Sequence, residues 1–224
     1  MALALLRRVL MVEESVVTVW LAIEPAGLTT IDAWYALRNV GLLWLPPVRR
    51  ARSYQGVGDA PPFLVVYESR GRRARDARSH GASGPSLEVA QAVARSYRLV
   101  ARAGEDAIHR HLLTVALTPH ASRSAATRVR LARELNQALD ALHGVSTLVA
   151  LEAAGPAAVV GGERGLVGGA VLDGPPFLVL CEVSDAAREM SIAAFWADRA
   201  VDLGGEARCD LCRLLDVQVA DAAA

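Results

Sequence analysis

The 224-residue chain contains no lysine: all 24 of its basic residues are arginine, set against 24 acidic residues. This excludes chemistry that needs an amine of adjustable pKa or a compact ammonium: Schiff-base and pyridoxal-phosphate catalysis, lysine general bases, and phosphate loops built around a lysine. A net charge of zero leaves no basic face for nucleic acid or for an anionic membrane, so neither is expected as a partner. Apolar runs reach about eight residues, against the ~20 that a membrane span needs. Three cysteines, Cys181, Cys209 and Cys212, are too few and odd in number for a disulfide framework. The opening residues, MALALLRRVLMVEES, put arginines after a short apolar run instead of before it, unlike a secretory leader. A cytoplasmic protein is the expectation.

What is present is apolar mass and a repeat. The chain is 53% apolar, enough for a large core. Residues 59–68 read DAPPFLVVYE and residues 173–182 read DGPPFLVLCE, identical at seven of ten positions. Each copy pairs an acidic turn residue and two prolines with a short β-rich run that ends in glutamate, Glu68 or Glu182. Flanking patterns give strands at 16–23 and 48–54, a helix over 31–43, an arginine-rich loop at 70–85 and a helix over 86–103. The second half follows with a strand at 112–117, a helix over 124–142 and a strand at 145–151. A glycine-rich insertion over 155–169, a helix over 185–201 and a strand at 209–219 complete it.

The expected fold class is therefore α+β, with tandem ferredoxin-like βαββαβ units over 1–107 and 108–224. On these expectations the strand near 108–117 could close the first unit or open the second.

Residues 34–54, WYALRNVGLLWLPPVRRARSY, followed by PPFLVVYES, resemble the EthD-like branch of the dimeric α/β-barrel superfamily. Trp34, Tyr35, Val40, Leu42, Leu43, Pro46, Val48, Arg52, Tyr54, Phe63, Leu64, Tyr67 and Glu68 fit its pattern. The resemblance implies a barrel of two facing four-stranded sheets, formed here within one chain, that holds a small hydrophobic molecule. The relatives include cofactor-free monooxygenases and cyclases of aromatic polyketide pathways, haem-binding peroxidases and dehydratases, and proteins without known activity. The family's helix histidine falls on Asn39, and its neighbouring proline on Gly41. The same spacing counted back from Val145 gives Asn136. Asparagine exchanges hydrogen bonds but moves no proton near neutral pH.

Other residues carry candidate chemistry. His109 and His111, two apart on an expected strand, would face one way and could share a ligand. Cys209 and Cys212 would point to opposite faces of a strand and could not chelate together there, whereas in a turn they could converge. The glycines from Gly161 to Gly169 lead toward a strand instead of a helix, so a hairpin insertion fits better than a phosphate cradle. Glu68 and Glu182 would have raised pKa values if they pointed into an apolar cavity.

The functional expectation is a small-molecule enzyme of aromatic, polyketide-type metabolism. It would be a cyclase or cofactor-independent monooxygenase, antibiotic biosynthesis being one setting, acting on a hydrophobic aromatic substrate in the barrel. The catalytic candidates are Asn39, Arg52, Glu68 and His109. Trp34, Tyr35, Arg38, Trp44, Tyr54, Tyr67, His111, Asn136 and Glu182 are the candidates for substrate contact. No metal and no cofactor are expected, with haem and flavin left open, and a homodimer is compatible. The alternative is a non-catalytic binding or scaffold protein that has lost the family histidine.

Overall fold

The computed structural model describes residues 14–22, 48–58, 63–70, 91–106, 108–120, 124–154, 158–160, 175–203 and 205–219. In chain order they form β1 (Glu14–Ala22), β2 (Val48–Gly56), β3 (Phe63–Arg70), β4 (Gln91–Gly104) and β5 (His111–Pro119). Then come α1 (Ser124–Ala141), β6 (Val145–Ala153), β7 (Ala158–Val160), β8 (Phe177–Val183), α2 (Glu189–Asp202) and β9 (Gly205–Val219).

Every strand pairing is antiparallel, in the order β1-β3-β2-β9-β5-β8-β6-β4, and β4 pairs back onto β1. The eight strands thus close on themselves, which removes the exposed edges an open sheet would present. The short β7 lies beside the start of β4, with Ala92 opposite Val160. The four strands β1 to β4 are ordered β4-β1-β3-β2, and β5, β6, β8 and β9 are ordered β9-β5-β8-β6. These quartets meet along β2–β9 and β4–β6. No helix among the described residues is long and apolar enough to cross a membrane.

Strand alternation sorts the apolar residues into two layers. Leu64 and Val66 of β3, Leu178 and Leu180 of β8, Tyr54, Tyr97, Leu112, Val149, Leu151 and Cys212 form one buried cluster. Seven strands of the ring contribute to it, so it fills the barrel interior. The opposite faces of β5, β6, β8 and β9 pack under the two helices through Leu113, Val115, Leu148, Phe177, Val179 and Leu211. Leu131, Leu135 and Ala138 of α1, with Ile192, Trp196 and Ala200 of α2, cover that layer. Burying each such large apolar side chain contributes roughly 1.5–3 kcal/mol. All seven residues of β8 are buried, so its sequence opens on an apolar run, Phe177 to Cys181, instead of alternating, and it also carries a buried charge at Glu182.

The expected helix over 86–103 is corrected: residues 91–104 are strand β4, hydrogen-bonded to β1 on one side and to β6 on the other. Val93, Tyr97 and Val100 fit a helical spacing as well as a strand, and pairing with two neighbours decides between them. A bulge between Leu99 and Ala101 breaks strict alternation, so Leu99 packs with the barrel interior whereas Val100, Ala101 and Ala103 pack in the helix layer. Because β4 completes the first quartet, the strand near 108–117, which is β5, opens the second.

Helix α1 starts where expected, but its buried stripe is Thr127, Leu131, Leu135 and Ala138, while Val129 and Ala132 face solvent. Gly144 follows α1 at φ +86, the left-handed turn that lets the chain reverse into β6. The expected helix over 31–43 and the arginine-rich loop, apart from Arg70 at the end of β3, lie outside the described residues.

Candidate functional site

Polar residues occupy one end of the barrel interior. On β2 the inward positions are Arg50, Arg52 and Tyr54, on β3 Glu68 follows Leu64 and Val66, and on β8 Glu182 follows Leu178 and Leu180. Arg52 is 3% exposed, Glu68 7% and Glu182 2%, so these are charges taken out of water. Such groups persist only when paired.

The pairing is extensive. The Arg50 guanidinium donates to Glu68 Oε2 from Nη2 at 2.7 Å and from Nε at 3.2 Å. Arg52 Nη2 donates to Glu68 Oε1 at 2.7 Å, and Arg52 Nη1 donates to Glu182 Oε1. The Tyr54 hydroxyl lies 3.5 Å from Glu182 Oε1, and the His109 backbone N–H donates to Glu182 Oε2 at 3.1 Å. Asp106 accepts from Arg50 Nη2 at 2.7 Å and from Arg102 Nη1 at 3.0 Å. Three arginines therefore balance three carboxylates, and Arg52 spans from Glu68 of the first quartet to Glu182 of the second. The Nε–H of Arg52 is buried and has no acceptor among the described residues.

The electrostatics follow from burial. Burial raises the Glu182 pKa above the usual carboxylate range, against the opposing pull of Arg52 and the His109 N–H. Burial likewise raises the Tyr54 hydroxyl, with Arg52 pulling the other way. For Arg52 burial is the largest influence and disfavours its charge, yet the facing Tyr54, Glu182 and Glu68 together raise its pKa. The hydrogen bond from Arg50 holds Asp106 below its ordinary value.

The two quartets do not contribute alike. Arg50 stands opposite Glu68 in the β2–β3 register, and Thr147 stands opposite Glu182 in the β6–β8 register. Arg52 and Tyr54 on β2 correspond in this way to Val149 and Leu151 on β6. Both halves supply a glutamate, but among the described residues the first supplies the cations and the phenol, so the cluster is not repeated in the second quartet.

Of the residues singled out in the sequence, the structure brings together Arg52, Tyr54, Glu68 and Glu182, with His109 contributing its backbone. Tyr67 lies on the opposite face of β3 from Glu68, buried, its hydroxyl pushed up to about 12 by burial. The expected strand pairing of His109 with His111 is corrected: β5 begins at His111, and His109 belongs to the turn before it. His111 lies on the same face of β5 as Leu113 and Val115, toward the helix layer, with a buried Nδ1 that has no partner among the described residues. Asn136 is exposed on α1 and does not reach the cluster. Trp34, Tyr35, Arg38, Asn39 and Trp44 lie outside the described residues.

Cys209 packs in the helix layer and Cys212 in the barrel interior, so the two thiols point apart as expected of a strand. Among the described residues no three of His, Cys, Asp or Glu are grouped so as to hold a metal. Asp106 and Arg102 were missed in the sequence. Asp106 meets Arg50 only through the tertiary fold, 56 residues apart in sequence, and Arg102 on β4 joins the cluster through Asp106.

No protein-family model matches the chain, and no curated protein matches it significantly. Solved structures do. An anthrone oxidase-like protein superposes with a TM-score of 0.58 at 13% identity, over 95% of this chain and 97% of that one. A monooxygenase-like protein from Listeria innocua gives 0.52 at 9% identity, over 91% of this chain and 95% of that one. A major regulator of staphylococcal pathogenesis gives 0.52 at 8% identity, over 90% and 99%. At these identities the shared property is the fold alone, over nine-tenths or more of this chain.

Proposed function

We propose that the chain is two fused ferredoxin-like units of the EthD-like type, 1–107 and 108–224, forming a cofactor-independent oxygenase for a hydrophobic aromatic small molecule. The repeated PPFL segments, the matching strand orders of the two quartets and the β4–β5 connection near residue 107 support the fused-unit reading. The oxygenase reading is supported by the likeness in fold to anthrone oxidase-like and monooxygenase-like proteins.

One observation carries the assignment of residues. The Arg52 Nε–H, without an acceptor among the described residues, is buried in the same interior as Glu182, a carboxylate whose proton affinity burial raises. In this reading Glu182 takes a proton from an acidic C–H or phenol of the substrate, and Arg52 Nε stabilises the oxyanion that results. The carbanion then adds dioxygen to give a carbon-bound peroxide, which takes the proton back from Glu182 and loses water by O–O cleavage to leave a carbonyl, so one oxygen atom ends in the product and the other in water. Tyr54 orients Glu182, and Glu68 and Arg50 hold the Arg52 guanidinium in place; Asn39, outside the described residues, is assigned a ligand contact from the sequence resemblance alone.

Oxygen uptake with an anthrone probe tests the proposal. The wild type should consume oxygen as anthrone is oxidised, and Glu182→Gln should lower the rate about 10²–10⁴-fold, the usual worth of a general base. Unchanged rates in Arg52→Gln and Asn39→Ala would sink the assignment.

A second reading, a non-catalytic binding or scaffold protein, rests on a different observation: every carboxylate oxygen of Glu68 and Glu182 already has a donor, and apolar side chains fill the interior beside them. Binding of the aromatic probe without oxygen uptake would favour it.

A further inference from the structure

The connection between β4 and β5 carries Asp106 onto an arginine site that is shaped for a carboxylate. Arg50 Nη2 at 2.7 Å and Arg102 Nη1 at 3.0 Å both donate to Asp106 Oδ1, and Arg49 Nη2 lies 3.9 Å from Oδ2. The arginines are fixed on β2 and β4, and the Arg50 side chain is only 10% exposed. The carboxylate they hold is 43% exposed and arrives from outside the barrel on a connecting segment. The backbone of that segment is tied down independently, by Glu105 N–H to Ser146 O at 3.2 Å and by His109 N–H to Glu182. Asp106 could therefore swing its side chain into solvent without moving the chain around it.

We propose that Asp106 is an internal stand-in for a ligand, and that this end of the barrel binds the carboxylate of a small molecule between Arg50 and Arg102 when Asp106 turns away. Two guanidinium groups converge on one oxygen of this carboxylate, each through a single charge-assisted hydrogen bond, the kind of contact that is roughly twice as strong as a neutral one. A ligand must compete with a carboxylate already in place, so its apparent affinity is reduced by the fraction of molecules with Asp106 engaged. The site is separate from the Arg52 Nε position, and its occupancy does not depend on whether the barrel is an oxygenase.

Titration calorimetry with sodium benzoate, and with benzamide as the neutral isostere at matched ionic strength, tests this on the full chain. Asp106→Asn should bind benzoate about tenfold or more tightly than the wild type. Benzamide should bind neither, and adding Arg102→Gln should abolish the gain. If Asp106→Asn is unfolded in plain buffer, benzoate should restore its circular dichroism and benzamide should not. Equal benzoate affinity in wild type and variant, an equal response to benzamide, a gain that survives Arg102→Gln, or an unfolded variant that benzoate does not rescue would each overturn the proposal.

Discussion

Replacing Arg52 with methionine removes the residue that joins the two quartets inside the barrel. The lost contacts are its hydrogen bonds to Glu68 and Glu182, each charge-assisted and worth roughly 1.5–3 kcal/mol. Glu68 keeps Arg50, but Glu182, 2% exposed, keeps only Tyr54 and the His109 N–H. Breaking a buried pair by deleting one partner costs about 3–5 kcal/mol, a large share of the ~5–15 kcal/mol that stabilises a typical domain. Removing both partners, in Arg52→Met with Glu182→Leu, should recover most of that loss, because no carboxylate is then stranded in the interior.

The pH dependence has a definite sign. Arg52 is the main influence that lowers the Glu182 pKa, so in Arg52→Met that pKa rises further. A carboxyl group whose folded pKa lies above its unfolded value contributes stability at low pH, and that contribution is lost as pH rises through the folded pKa. The Arg52→Met penalty should therefore be smaller at pH 5 than at pH 8. Urea unfolding at both pH values, with the two single variants and the double variant as a cycle, measures this. A penalty under about 1 kcal/mol, or additive single effects, would refute the reading of these groups as a buried, coupled network.

Three further outcomes are expected. Gly104 sits at φ +87, and a Cβ there would meet the Ser146 carbonyl oxygen. Gly104→Ala should therefore destabilise by more than the ~1–2 kcal/mol of a left-handed residue alone, read as a fall in the urea midpoint. Burial pushes Cys212 up to about 12 and Cys209 to about 11, and raises Cys181 as well. All three thiols should resist Ellman's reagent at pH 8 in the native protein and react once it is unfolded, and a fast native reaction would contradict that burial. The purified protein should show no Soret band, and a stoichiometric one would replace the cofactor-free proposal with haem chemistry.

Much of the second half was legible because its elements satisfy local and tertiary demands together. Helix α1 has apolar residues at helical spacing, and β8 is a short apolar run set off by prolines. The first half was read less well at residues 91–104, where Val93, Tyr97 and Val100 suit either period. There the hydrogen bonds of β1 and β6 outweigh local preference. His109 and His111 were misjudged for a related reason: the spacing argument holds only inside a strand, and β5 starts two residues later than His109.

The sequence by itself determined that cationic groups in this protein are guanidinium, never a titrating amine, and that the two PPFL strands end in matched glutamates. It also placed Arg52 and Tyr54 on one face of a strand, because alternation is a local property of extended chain. Only the tertiary structure decided that both glutamates reach the same arginine, since β2 and β8 meet across a closed ring, far apart in sequence. Asp106 joined them for the same reason. Its pairing with Arg102, four residues earlier, is local, but its bond to Arg50 on β2, 56 residues away, is a product of the tertiary fold.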